Sequence, residues 1–181
     1  MKRGKNGMDE FGFIDRSRSN AEKYVLREKL FGTNDVLPMW VADMDIATPH
    51  CVLEAVHERL KHPVIGYEIM SERAYEAQIA WVGSHHGWMT HREWFSYSPS
   101  VVASIGCTIR AFSDVDDDVI VMSPVYPPFF AQVKENNRRL ISHSLQVDHK
   151  GEYHFDIDAL RSKITPKTKI LLLCSPHNPV T

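Results

Sequence analysis

A mostly parallel α/β sheet with helices on both faces, preceded by a polar arm, is the fold this sequence predicts, and three observations point to it. Val119 to Met122 and Lys169 to Cys174 are short apolar runs without alternation, the pattern of strands covered on both sides. Capped helical segments separate the strand-like runs, so the connections read as right-handed crossovers. Both apolar runs end in proline loops, SPVYPP and SPHNP, at the edge where open α/β sheets bind ligands.

Taken in order, residues 1 to 19 are polar and glycine-dotted, with one apolar island from Phe11 to Ile14, and read as an arm. Asn20 is placed to cap a helix over AEKYVLREKLF, which Gly32 ends in the left-handed conformation. VLPMWVADMD, residues 36 to 45, is apolar apart from Asp43 and Asp45. Pro38 argues against an interior strand, and from residue types alone the segment is a loop clamped onto the core by Met39 and Trp40. Thr48-Pro49 starts a helix whose Val52, Leu53, Val56 and Leu60 form an apolar stripe, stopped at Pro63. Gly66-Tyr67-Glu68 is a connector. Ser71 caps the next helix, with Tyr75, Ile79 and Val82 on one face, Gly87 closing it and Trp88 packing over its end.

The central stretch runs from Trp94 to Phe130. Trp94 to Tyr97 reads as a short strand, Ser98-Pro99-Ser100 breaks it, and a helix opens at Val101. After the strand Val119 to Met122 come a helix over Phe129 to Asn137, an alternating strand over Arg139 to Leu145, and a turn at Asp148 to Tyr153. Asp156 caps a further helix through Lys163, and Thr165-Pro166 breaks it ahead of KILLLC, the clearest buried strand. Ser123-Pro124 and Asn178-Pro179 are candidates for cis peptide bonds, since each stands at a turn directly after a strand.

Composition narrows the function classes. With 181 residues, 43% hydrophobic and 24% charged, the chain can bury a sizeable core, and a formal charge of -2 provides no basic field for nucleic acid. No apolar run is long enough to span a membrane and no signal-peptide pattern is present, so the chain reads as cytoplasmic. Cys51, Cys107 and Cys174 are far apart and read as reduced core thiols. No H-E-x-x-H or Cys/His cluster accompanies the ten histidines, and no metal is expected.

Two loops carry the chemistry. A helix opening at Val101 leaves backbone N–H groups of Ser100 to Ala103 pointing outward at the positive end of its dipole, a ready anion site. Tyr126 offers a flat ring and Asn178 an amide at the same sheet edge, a set that suits an aromatic phosphate ester such as pyridoxal phosphate (PLP). A nucleotide or sugar phosphate could use the anion site and the ring, but the dinucleotide fingerprint G-x-G-x-x-G and the G-x-x-x-x-G-K-[ST] loop are both absent.

LPMWVADMD, GYE, SPSVV with IRAF, PVYPPFF and LLLCSPHNPV, in this order and at these intervals, resemble the MalY/PatB branch of the fold-type I PLP enzymes. These are C–S β-lyases of the cystathionine β-lyase kind within the class I/II aminotransferase superfamily. The resemblance covers Phe11 to Val180 and implies the first part of a fold-type I large domain behind an N-terminal arm, with residues 1–48 as arm and substrate-side segment and 49–181 as an incomplete PLP-binding domain. It implies that Ser100, Val101 and Val102 meet the cofactor phosphate, that Tyr126 stacks on the pyridine ring, and that Asn178 bonds the ring oxygen. Tyr67 matches a tyrosine that reaches a neighbouring subunit's phosphate, which implies a homodimer, while Trp40, Ala42 and Asp43 border an amino-acid substrate. The family's Schiff-base lysine, pyridine-pairing aspartate and carboxylate-holding arginine match nothing up to Thr181, so the expectation is an N-terminal part of the enzyme, inert alone. An aminotransferase outcome, and a truncated product with only a binding role, are the alternatives.

Overall fold

Strand β1, Asp118–Ser123, is the axis of the fold because its apolar run is flanked on both sides by strands of the same direction. It pairs in parallel with β2, Arg139–Ser144, and with β5, Thr168–Leu172, giving the order β2-β1-β5. Val119, Ile120, Val121 and Met122 are all essentially inaccessible. Alternation along β1 sends Val119 and Val121 to one face, where they meet Ile109, Val125, Phe129 and Val133. Each such side chain contributes about 1.5–3 kcal/mol of burial.

The computed structural model describes residues 12–180 and divides into the units Met1–Ile69 and Met70–Thr181; the rest of the expected arm and Thr181 lie outside the described residues. In the second unit, α4 (Glu72–His86) opens on Ser71, whose side chain accepts from the Ala74 N–H, and ends at Gly87 with φ 63°. Trp88 is 60% exposed rather than packed over that end. Residues 94–97 are not a strand: Arg92–Trp94 forms a 3-10 turn and the following residues find no ladder, because Pro99 and the helix start leave too short a run to pair.

Helix α5, Val101–Phe112, packs beside α6, Pro128–Glu135. On the opposite face of the sheet, His143 stands in register with Met122, its ring edge-on to Phe155 at 5.6 Å between centroids. Helix α7, Ile157–Arg161, opens on Asp156, which accepts from the Ala159 N–H, and buries Leu160. Between β2 and α7, a small hairpin of β3 (Gln146–Val147) and β4 (Tyr153–His154) frames the expected turn.

Two expectations need correction here, and one is extended. Strand β5 alternates between half-buried and exposed, because Ile170 and Leu172 pack against the core while Leu171, 47% accessible, points to the other face. Cys51 and Cys107 are exposed, so neither is a core thiol, whereas the half-buried Cys174 packs against the core; all three are free. Ser175–Pro176 is cis along with the two bonds anticipated, Ser123–Pro124 and Asn178–Pro179.

The first unit is built differently. The helix expected over residues 21–31 is two, α1 (Glu22–Val25) and α2 (Arg27–Phe31), interrupted at Leu26, with Gly32 at φ 71° closing the second. The cap is not Asn20: Ala21 occupies that position and Ser19 Oγ accepts its N–H at 3.2 Å. Helix α3, His50–Leu60, buries none of its residues, and Val52, Leu53, Val56 and Leu60 are 43–57% exposed. Its stripe is the one the sequence shows, with nothing against it among the described residues of its unit. Phe13 forms an isolated antiparallel bridge with Ile46, tying the arm to the segment after Asp45.

Candidate functional site

The start of α5 has two backbone donors to spare. Ser100 is extended (φ -164°, ψ 160°), and its Oγ accepts the Ala103 N–H at 3.1 Å while its carbonyl accepts the Ser104 N–H at 3.0 Å. Among the described residues nothing accepts from the amides of Val101 and Val102, and Val101 is 74% exposed. These two N–H groups, with the helix dipole behind them, leave the helix start with the free donors that suit an anion. Ala103, counted in the loop from its sequence, has its amide occupied by the cap.

The loops after β1 and β5 meet directly. The Tyr126 N–H donates to the Asn178 carbonyl at 3.0 Å, and His177 Nε2 lies 2.8 Å from the Pro124 carbonyl. A carbonyl only accepts, so Nε2 carries the proton. Within the second loop, the Asn178 N–H points at Cys174 Sγ and that thiol at the Pro176 carbonyl, each at 3.4 Å. Tyr126 keeps 45% of its surface open, and among the described residues neither its hydroxyl nor the Asn178 side-chain amide is hydrogen-bonded.

The start of α5 lies alongside these loops, as the packing of α5 on α6 shows. A Cβ on Gly106 would run into the Gln132 side chain, and one turn on, Arg110 NH1 donates to Asn136 Oδ1 at 2.7 Å. Pairs 106 with 132 and 110 with 136 make the helices run in the same direction, so one turn back Val102 falls beside Pro128, two residues from Tyr126. Ser100, Val101, Val102, Tyr126 and Asn178 therefore share the carboxyl edge of the sheet.

In the first unit, Trp40, Ala42 and Asp43 lie on a segment that charge helps to hold. Met39, 82% exposed, does not clamp it, whereas Pro38 is buried and Trp40 is only 38% exposed. Arg16 bonds Asp43 Oδ2 at 2.6 Å, and Lys23, only 5% exposed, donates to the Asp43 carbonyl at 2.7 Å and pairs with Asp45 at 2.9 Å. Tyr24 donates to Asp45 Oδ2 at 2.7 Å, and Trp40 Nε1 to the Lys23 carbonyl at 3.2 Å. The hydrogen bond from Tyr24, with help from Lys23 and Arg16, holds the Asp45 carboxyl below its ordinary range. Ala42 is exposed, and Tyr67 is fully exposed in its connector.

Arg16, Lys23, Tyr24 and His177 are the residues that sequence reasoning missed. A lysine among apolar neighbours and a histidine beside Asn178 were the available signals, but their partners are far away in sequence. Asp148, Glu152 and His154 also come within 4.8 Å of one another at the β3–β4 turn. There the backbone donors of Lys150 and Glu152 and the His154 ring already occupy the Asp148 carboxylate.

The sequence profile of the family Aminotransferase class I and II matches residues 34–180. Cystathionine beta-lyase PatB of Bacillus subtilis (strain 168) is 36% identical over 166 residues, 91% of this chain and 43% of that protein. Among solved structures, a PLP-bound putative aminotransferase from Clostridium difficile 630 superposes with a TM-score of 0.87 at 38% identity, over 93% of this chain and 43% of that one. The PLP-bound C-S lyase from Staphylococcus hominis gives 0.83 at 31% identity, with the same two shares. The chain thus spans less than half the length of these relatives, and its fold is that of the N-terminal portion of fold-type I PLP enzymes.

Proposed function

The chain belongs to the class I and II aminotransferase family, and from that premise we propose that it is the N-terminal part of a PLP-dependent lyase that cleaves the C–S bond of cystathionine- or cysteine-type amino acids. The products are pyruvate, ammonia and a thiol. The observation that carries this reading is the meeting of unengaged Val101 and Val102 amides, an open Tyr126 ring and an unpaired Asn178 amide at one sheet edge.

Those groups fit PLP part by part. The amides of Val101 and Val102 donate to its phosphate, and the Ser100 hydroxyl, whose oxygen accepts from Ala103, has its proton left to add a third donor. Tyr126 offers a ring face to the pyridine. Asn178 donates from its side-chain amide to the ring oxygen and favours its anionic form. Bound there, PLP supplies the electron sink for charge developing at the substrate α-carbon. On the substrate side we place Trp40, Ala42 and Asp43, with the Arg16–Lys23 network fixing the segment that carries them.

Residues 1–48 are proposed as arm and substrate-side segment, and 49–181 as part of a PLP-binding domain of a cytoplasmic enzyme. The full exposure of Tyr67 supports a role at a homodimer interface, reaching a neighbouring subunit's phosphate. The 181 residues alone are proposed to be inert, because no lysine occupies either site loop. Lys163 and Lys169 donate instead to the carbonyls of Ser142 and Pro166.

One experiment tests this reading: pyruvate release from cystathionine by the complete protein carrying this chain, beside the 181-residue chain alone, each with added PLP. Release by the complete protein only is the expected result. Transfer of the amino group to a 2-oxo acid without pyruvate release would assign an aminotransferase, and turnover by the short chain would refute its inertness.

A further inference from the structure

The two loops at the sheet edge are poor in backbone donors. Pro124, Pro127 and Pro128 remove three N–H groups from one, and Pro176 and Pro179 remove two from the other. Between them the backbone makes a single bond, Tyr126 N–H to the Asn178 carbonyl. One side chain adds a second tie: His177 donates from Nε2 to the Pro124 carbonyl at 2.8 Å. Its ring is half-buried, and it directly precedes Asn178 while its acceptor lies two residues before Tyr126.

We propose that His177 is a positioning residue which, through its bond to Pro124, sets the separation between the Tyr126 ring and the Asn178 amide. The role rests on the PLP reading of this edge. Two bonds in parallel fix a distance and an angle, whereas the backbone bond alone leaves the loops free to pivot about it. With that pivot, ring contact and amide contact to the same ligand cannot both be kept at full strength. Beyond loop geometry, the proton on Nε2 makes the tie directional: a side chain of equal reach without a donor loses it, and one with an amide donor keeps it.

The test compares His177→Met and His177→Gln in the complete protein carrying this chain, with PLP as the probe. Three readouts are taken: PLP affinity by titration, the pH midpoint of the bound cofactor's visible absorbance, and the thermal midpoint. His177→Met is expected to weaken PLP binding about fivefold to tenfold, the worth of one hydrogen bond. It is also expected to raise the absorbance midpoint by about half a pH unit, since a displaced Asn178 amide favours the anionic ring oxygen less. His177→Gln restores both, and neither variant lowers the thermal midpoint of the PLP-free protein by more than about 2–4 °C, the scale of one hydrogen bond. Unchanged affinity and absorbance in His177→Met, failure of His177→Gln to rescue, or losses that merely follow the thermal midpoint overturn the positioning role while the PLP reading stands. A wild-type protein that does not bind PLP overturns both.

Discussion

The sheet around β1 and the segment around Asp45 are held by opposite means. In the first, Ile109, Val119, Val121 and Val133 are wholly inaccessible and pack on one another. In the second, the only buried charged side chain of its unit's described residues, Lys23, is paired with Asp45, and Arg16 and Tyr24 complete the ring of bonds. Apolar burial carries no proton to titrate, whereas a network of charges responds to pH and is screened by salt. The comparison teaches that an apolar stripe states only that a face needs a partner. Helix α5 has one in α6, and α3, with a comparable stripe, has none among the described residues of its unit.

The largest effect that would break this comparison is a core truncation. Ile109→Ala is expected to lower unfolding stability by about 2–5 kcal/mol in urea titrations. Val56→Ala on α3 stays within about 0.5 kcal/mol in a protein whose α3 stripe is uncovered. A loss at Val56 as large as that at Ile109 would show the stripe to be covered in solution.

Next in size is Asp45→Asn, which leaves the buried Lys23 ammonium with weakened compensation. Limited proteolysis is expected to cut faster within residues 12–47 of this variant and no faster within β1 or β2. Tyr24→Phe, which removes one donor to the same carboxylate, moves the cutting rate in the same direction by less.

The smallest effect is a pH slope. Burial pushes the His143 imidazole below its ordinary value of 6.5, and among the described residues its Nε2 has no hydrogen-bond partner. The unfolded chain therefore binds a proton that the folded one refuses, so stability is full above about 6.5 and falls as pH drops below it. The Arg139 bond lowers the Asp118 carboxyl, with Thr165 assisting, so a separate loss begins as pH falls below 3.8 towards the folded value. His143→Leu should flatten the upper slope in denaturation curves and leave the lower one; an unchanged upper slope would mean another group causes it.

What the sequence revealed and what it hid follow the same divide. Ser71 and Asp156 cap their helices as read, because a cap bonds an amide three residues on and is written locally. Gly32 and Gly87 are legible for the same reason. Arg16 and Asp45 are 29 residues apart and His177 and Pro124 53, and no local pattern pairs them. At the site, the residue types of Ser100, Tyr126 and Asn178 could be read, but the occupation of the Ala103 amide by its cap could not be weighed without geometry. The apolar run of β5 announced a strand and said nothing of whether both edges would be paired.

The sheet order also has a temporal side. Asp118 pairs with Arg139 21 residues ahead and with Thr168 50 residues ahead. Closing the longer loop costs about 0.8 kcal/mol more chain entropy than closing the shorter one. The β1–α6–β2 unit is thus the first part of this sheet a growing chain can form, and β5 arrives at an edge already laid down. Its amides should be the last of the sheet to gain protection during refolding and the first to exchange, measurable by pulse-labelled hydrogen exchange. The loop that carries His177 and Asn178 hangs from that later-arriving strand, so the proposed binding edge takes shape only after β1 and β2 have paired.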